Sequence, residues 1–127
     1  MLDRTLYEYA VVRLVPRVER EEFVNVGVLL YCRKQRYADI LYYVDRDRCS
    51  LLSSEIDFRQ IRAHLESMKQ VCKGSKAGGA LAELDLTERF RWLTAKRSTL
   101  IQCSPVHPGL CIDAGETHEE LFKKLVL

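Results

Sequence analysis

Hydrophobic residues recur with the period of a β-strand in three segments near the start of the chain. These segments are Leu6 to Val15, Phe23 to Cys32 and Tyr37 to Val44. The first is largely apolar on both faces, which predicts an inner strand of a sheet. Pro16 and the charged residues after it end this strand. The polar run 33–36 predicts a turn that joins the second and third segments as an antiparallel hairpin.

The hydrophobic period changes beyond a charged connector at residues 45–48. Apolar residues then recur at three- and four-residue steps from Phe58 to Cys72, which predicts an amphipathic helix. Asp57 is its expected N-cap and Gly74 its expected end. The stretch 74–79 is rich in glycine and lysine and predicts a flexible loop.

Two short helices and one more strand are predicted in the last third of the chain. A helix capped by Asp85 or Thr87 precedes a strand from Ser98 to Ser104, which Pro105 closes. Pro108-Gly109 continues this break. A final helix opens with the capping box Thr117-x-x-Glu120.

This order of elements predicts an α+β fold. We expect one domain over residues 1–127, with a small, mainly antiparallel sheet of about four strands and about three helices packed on one face. A chain of this length can bury a sufficient core without metal ions or disulfides. The composition, with 47% hydrophobic and 30% charged residues, excludes disordered and low-complexity classes.

The near-neutral charge of the whole chain conceals a polarised distribution. The formal net charge is +2, from 20 basic and 18 acidic residues. Between Leu86 and His107, however, four basic residues oppose one acidic residue, whereas two basic residues oppose four acidic ones from Pro108 onwards. The segment 89–107 is therefore a locally basic part of the chain and a candidate surface for an anionic partner.

The start of the chain and the cysteine spacing bear on compartment and cofactors. Asp3 and Arg4 interrupt the only apolar stretch near the start, and no apolar run approaches the roughly 20 residues that cross a bilayer, so we expect a cytoplasmic protein without a membrane partner. The five cysteines form no C-x-x-C pair, which favours buried thiols over disulfides or zinc. No cofactor and no metal site is predicted.

Trp92 is the centre of the first candidate site. On a helix, Arg89, Trp92 and Lys96 follow one flank, and Arg91 and Arg97 add further positive charge. Cations around an indole can hold an anion or stack a base. The alternative is that Trp92 belongs to the core and that the cations are only a solvated face.

The strand after Trp92 carries a second group of polar residues. Ser98, Gln102 and Ser104 share one face by the period of two, and His107 lies just beyond Pro105. Hydroxyl, amide and imidazole groups of this kind bind phosphates or backbone amides. A Ser-His catalytic pair has little support, because no carboxylate is evidently placed to orient His107 and no G-x-S-x-G motif is present.

Asn25 and Gly27 stand in a segment made otherwise of strong β-formers. A functional interpretation makes Asn25 a ligand-facing amide with Glu22 as its carboxylate partner. A structural interpretation makes Gly27 the site of a bulge or a close backbone approach, with Asn25 bonded to a neighbouring loop. His64 and His118 lie at positions that favour structural roles.

Several of these residues carry a resemblance to a bacterial family, domain of unknown function 3037. The family's strand motif, E-F-x-N-V-G-V, matches the chain from Glu22 to Val28. Its second pattern, R-S-T, then Q, S-P and H, matches Arg97 to Thr99, Gln102, Ser104-Pro105 and His107. Many relatives have proline where this chain has Cys103, a minor departure.

The resemblance implies no activity, but it implies a context. Family members are often encoded beside a HipA-like kinase, which implies an accessory partner for such a kinase. We therefore favour a non-catalytic accessory or binding module. The alternatives are a nucleic-acid or phosphate-ligand binder that uses the 89–107 segment, and a hydrolase or nuclease in which Glu22, Asn25, Ser98 and His107 converge. The oligomeric state stays open, a homodimer included.

Overall fold

A computed structural model describes residues 3–97 and 99–127 and confirms the α+β class. The strands are β1 (Thr5–Leu14), β2 (Val24–Cys32), β3 (Tyr37–Tyr42), β4 (Ile101–Cys103) and β5 (His107–Cys111). The α-helices are α1 (Arg46–Ser50), α2 (Phe58–Lys73), α3 (Leu86–Leu93) and α4 (Ala114–Leu125). Short 3-10 segments cover Val18–Arg20 and Lys76–Glu83. No helix of the described residues is long and apolar enough to span a bilayer.

The five strands form one antiparallel sheet in which β1 is an inner strand, as its two apolar faces predict. The order is β3, β2, β1, and both β4 and β5 then pair with β1. β4 pairs with Val12 to Leu14, and β5 pairs with Thr5 to Tyr9. The two short strands thus share one edge of the sheet, with a bend at residues 104–106 between them.

Helices cover both faces of the sheet, so the prediction that they pack on one face is wrong. On one face, Leu14 and Ile40 pack in a cluster with Leu65 of α2 and Phe90 of α3. On the other, β2 residues Leu30 and Cys32 pack with Ala114 of α4 and with Leu121 beside it. The second helical layer is possible because β2 is buried over nearly its whole length and is apolar on both sides.

A β-bulge in β2 explains how this strand serves both layers. Val12 pairs with Gly27 and Arg13 pairs with Asn25, so Val26 is an extra residue on the β2 side. Gly27 also lets β3 approach closely, because a Cβ built there would lie 2.9 Å from the carbonyl oxygen of Leu41. The structural interpretation of Gly27 is therefore confirmed.

Several boundaries differ from the sequence predictions for local reasons. The final helix begins earlier, at Ala114, because the Asp113 carboxylate accepts the Glu116 amide at 3.2 Å; the predicted capping box at Thr117 is wrong. The expected break at Pro108-Gly109 is strand β5, where an edge position tolerates proline. The charged connector forms α1, capped by Asp45, and most of the expected loop 74–79 is 3-10 helical.

Side chains cover backbone groups on both outer edges of the sheet. On β3, the Ile40 carbonyl accepts the Lys69 ammonium at 3.1 Å, and the Ile40 amide donates to Asp39 Oδ1 at 2.8 Å. On β4, the Thr99 hydroxyl donates to the Ile101 carbonyl at 2.8 Å. These bonds occupy groups that an exposed strand otherwise offers to another chain.

The five cysteines are thiols, and four of them are buried. Burial raises the pKa of the Cys72 thiol to about 12. They therefore pack as small hydrophobic side chains, as their spacing predicts.

Candidate functional site

A pocket of about 320 Å³ lies between α2, α3 and the edge strand β4. Met68, Val71, Leu93 and Ile101 are among the apolar residues that line it. Its polar and aromatic lining comes from His64, Trp92, Arg97 and Gln102, among others. Three of the predicted candidate residues, Trp92, Arg97 and Gln102, therefore contribute to one concave site with an apolar interior, the usual form of a binding pocket.

Trp92 stands at this pocket with 45% of its surface exposed, so it is not a core tryptophan. The Arg97 guanidinium lies 4.2 Å from the centre of the indole ring. Arg97 also donates to the Trp92 carbonyl at 2.6 Å and to the Leu93 carbonyl at 3.3 Å, where α3 ends. These bonds fix the cation over the aromatic ring and hold both at the mouth of the pocket.

Partial burial favours the neutral forms of two titratable side chains in the pocket, His64 and Cys103. Burial, and secondarily the positive charge of Arg97, lowers the pKa of His64. Burial raises the pKa of Cys103 to about 11, and its thiol donates to the Leu93 carbonyl at 3.5 Å. A protonated thiol is a weak nucleophile, so the chemistry of this pocket favours binding over covalent catalysis.

The other cations of the basic segment do not gather at Trp92. Arg89 donates to the Val71 and Cys72 carbonyls at 3.1 and 2.9 Å, where it caps the end of α2. Arg91 makes two 2.8 Å bonds to Glu8 of β1, and this hydrogen bonding lowers the pKa of the Glu8 carboxyl. Lys96 is exposed. The structure therefore does not unite Arg89, Arg91 and Lys96 around Trp92.

Ser104 completes the sheet rather than facing a ligand. It is 3% exposed, and its hydroxyl oxygen accepts the Val11 amide at 2.8 Å while its hydrogen goes to the Pro105 carbonyl at 2.9 Å. His107 is exposed and packs against Tyr9, with 5.4 Å between ring centres. Ser98 lies outside the described residues.

Asn25 and Glu22 do not form the predicted pair. The Asn25 amide donates to the Leu125 carbonyl at 3.1 Å, at the end of α4, whereas Glu22 bonds Arg20 at 2.5 Å. Asn25 does share a row of the sheet with Gln102, because both are cross-strand partners of Arg13. Arg13 was not among the predicted site residues. It is nevertheless a charged side chain in the otherwise apolar second half of β1, which is a signal visible in the sequence.

Gln102 makes a hydrogen bond within its own part of the chain. The Gln102 amide donates to the Thr99 carbonyl at 2.8 Å, so it braces the loop before β4 at the pocket. Among the described residues, no three His, Cys, Asp or Glu side chains stand close enough together to hold a metal ion.

These features define a small α+β domain with helices on both faces of its sheet and an apolar pocket beside a sheet edge. The chain matches the profile of a family described as "Protein of unknown function (DUF3037)" over residues 9–126. It belongs to this family, which confirms the resemblance drawn from the two sequence motifs. No curated protein and no solved structure matched the chain.

Proposed function

We propose that the protein is a non-catalytic accessory module that binds another protein by taking an apolar side chain of that partner into the α2–α3–β4 pocket. The observation that carries this proposal is the half-exposed Trp92, stacked with Arg97 at an apolar pocket that also contains Met68. Tryptophan, arginine and methionine are enriched at protein interfaces, and the first two dominate binding hot spots.

The form of the pocket determines the kind of side chain that fits it. At about 320 Å³ it is near the lower end of ligand-pocket volumes, and about twice the ~150 Å³ cavity that accepts benzene. One aromatic or large aliphatic side chain matches this volume. A carboxylate next to that side chain is favoured by Arg97, which is held at the mouth by its two carbonyl bonds.

The first partner to test is a HipA-like kinase, because family members are often encoded beside one. This support is an association between genes rather than a contact. The pocket argument itself requires only a protein that offers an apolar anchor residue.

The alternative functions receive less support from the geometry. A nucleic-acid or phosphate binder that uses segment 89–107 needs cations available to the ligand, but Arg89 and Arg97 are bonded to carbonyls at helix ends and Arg91 is bonded to Glu8. A hydrolase or nuclease needs Glu22, Asn25 and His107 in one cleft. Glu22 and Asn25 instead bond different parts of the chain.

The experiment is co-purification and calorimetric titration of the protein with the neighbouring HipA-like kinase, with and without nucleotide. Trp92→Ala is expected to weaken binding at least about 30-fold, the effect of losing a hot spot of about 2 kcal/mol. Tyr43→Ala is the matched control, because Tyr43 is also a half-exposed aromatic residue, at 52%, but lies outside the pocket.

Circular dichroism is used to verify that both variants fold. No complex at micromolar concentrations would remove the kinase from the proposal. A complex that Trp92→Ala leaves as tight as wild type would remove the pocket.

A further inference from the structure

A second surface, separate from the pocket, combines exposed apolar side chains with a cluster of cations. Its apolar part is the cross-strand pair Leu6 and Leu110, which are 57% and 61% exposed. On the same face of β1, Val12 and Leu14 are fully buried beneath the helices. The helical layer of α2 and α3 thus leaves the β5 end of this face uncovered.

The cations lie in two hollows next to this apolar pair. The first, of about 370 Å³, is lined by Leu6 together with Arg4, Arg33, Lys34 and Arg91. The second, of about 520 Å³, shares Arg33 and Thr87 with the first and adds Arg36 and Arg89. Six cations from three distant parts of the chain therefore border these two adjoining hollows, although Arg89 also caps α2 and Arg91 is paired with Glu8.

Few negative charges balance this cluster. The carboxylates that line the two hollows are those of Glu8 and Asp85. Glu8 is already bonded to Arg91 through both oxygens, and Asp85 accepts the Glu88 amide at 2.8 Å as the N-cap of α3. The hollows therefore keep an excess of positive charge, which a partner of opposite sign would neutralise.

We propose that this surface binds an acidic segment of another protein in which apolar side chains are interspersed with carboxylates. The carboxylates would lie over Arg33, Lys34 and Arg36 of the hairpin turn, and an apolar side chain would cover Leu6 and Leu110. Arginine guanidinium groups bind carboxylates through paired hydrogen bonds. Burial of the apolar pair contributes binding free energy that depends little on salt.

The same observations argue against three other partners for this surface, namely a nucleic acid, a second copy of this chain and a membrane. A nucleic acid would neutralise the cations but leave the two leucines without an apolar partner. A second copy of this chain would bring two positive surfaces together. A flat anionic bilayer does not enter the hollow in which Leu6 lies.

The test measures fluorescence anisotropy of labelled probes with the full chain. The first probe is a peptide of alternating Glu and Leu, and the matched probe alternates Glu and Ser. Oligo-dT and phosphatidylserine vesicles represent the other two occupants. We expect the Glu-Leu peptide to bind tightest of the four probes, and its Kd to rise at least about tenfold between roughly 50 and 300 mM salt.

Variants then locate the binding. Arg33→Glu combined with Arg36→Glu is expected to weaken the Glu-Leu peptide at least about tenfold, and Leu110→Ser about fivefold. Lys123→Glu with Lys124→Glu makes the same charge change on α4, away from the hollows, and is expected to have under half the effect of the double arginine variant. Trp92→Ala is expected to leave this binding unchanged, which separates it from the pocket.

Three results with the probes would overturn the proposal, and one result with the variants would also do so. They are equal binding of the Glu-Ser and Glu-Leu peptides, tighter binding of oligo-dT or vesicles than of the Glu-Leu peptide, and no binding at about 100 μM protein. An equal loss in the lysine control variant would also overturn it, because the attraction would then be general rather than local.

Discussion

Replacing Ser104 by alanine tests whether this residue is structural. In the native protein its oxygen accepts the buried Val11 amide at 2.8 Å, at the bend between β4 and β5. The backbone amide of Ser104 still bonds the Val11 carbonyl after the substitution, so the strand pairing itself is kept. What changes is that the Val11 N–H loses its acceptor in a place that water does not reach.

The expected magnitude follows from the cost of an unpaired buried donor. That cost is about 1–3 kcal/mol. Unfolding entropy near 2.1 cal/mol/K per residue amounts to about 0.27 kcal/mol/K for 127 residues, so Tm is expected to fall by about 4–11 °C. Ser53→Ala, which removes a hydroxyl acceptor from the exposed Glu55 amide, is expected to lower Tm by about 2 °C or less.

The assay is thermal unfolding followed by circular dichroism, combined with hydrogen exchange of the Val11 amide. Ser104→Ala is expected to speed exchange at Val11 more than at neighbouring β1 amides. The structural account would fail if Ser104→Ala unfolded at the wild-type temperature with unchanged protection of Val11.

Four further substitutions test a buried histidine, the packing at two glycines and the cap of a helix. Burial lowers the pKa of His118, so the unfolded chain takes up a proton first; stability is expected to be constant above about pH 7 and to fall below about pH 6.5, by up to about 1.4 kcal/mol per pH unit. Chemical denaturation between pH 7.5 and 5.5 should show a smaller slope in His118→Gln, and an unchanged slope would contradict this account. Gly27→Ala is expected to cost about 1–3 kcal/mol through its clash, whereas Gly115→Ala, with ordinary contacts in a helix, is expected to stabilise by up to about 1 kcal/mol in the same urea titrations. Asp57→Ala is expected to cost about 1 kcal/mol by removing the N-cap of α2, and a urea midpoint equal to wild type would refute it.

Sequence patterns predict most of the elements here because the signals are local. The apolar stripe of α2, its cap at Asp57 and its end at Gly74 are all visible within one segment. The position of α4 against the sheet is not visible in the sequence in this way. Without a bulge, the alternation of residues in β2 predicts only one apolar face. One extra residue, Val26, reverses the alternation and supplies both faces, and only the pairing with β1 reveals it.

The site was less predictable than the fold because long-range contacts decide where a side chain points. Helical spacing places Arg89 beside Trp92, but the carbonyls at the end of α2 draw Arg89 elsewhere. Arg4 and Arg33 come together only through the hairpin and β1. Counting charges along the chain therefore locates the basic segment 89–107 but does not reveal the basic surface formed by the two hollows.

The covered sheet edges restrict how this protein can associate with copies of itself. Backbone pairing at Ile40 or Ile101 would first require Lys69 or Thr99 to give up its bond. Strand addition at these two positions is therefore easier in a partly unfolded state, such as one reached during synthesis or heat stress. Assemblies that leave these two bonds in place would depend on side-chain surfaces, and such assemblies can dissociate and re-form as concentration changes.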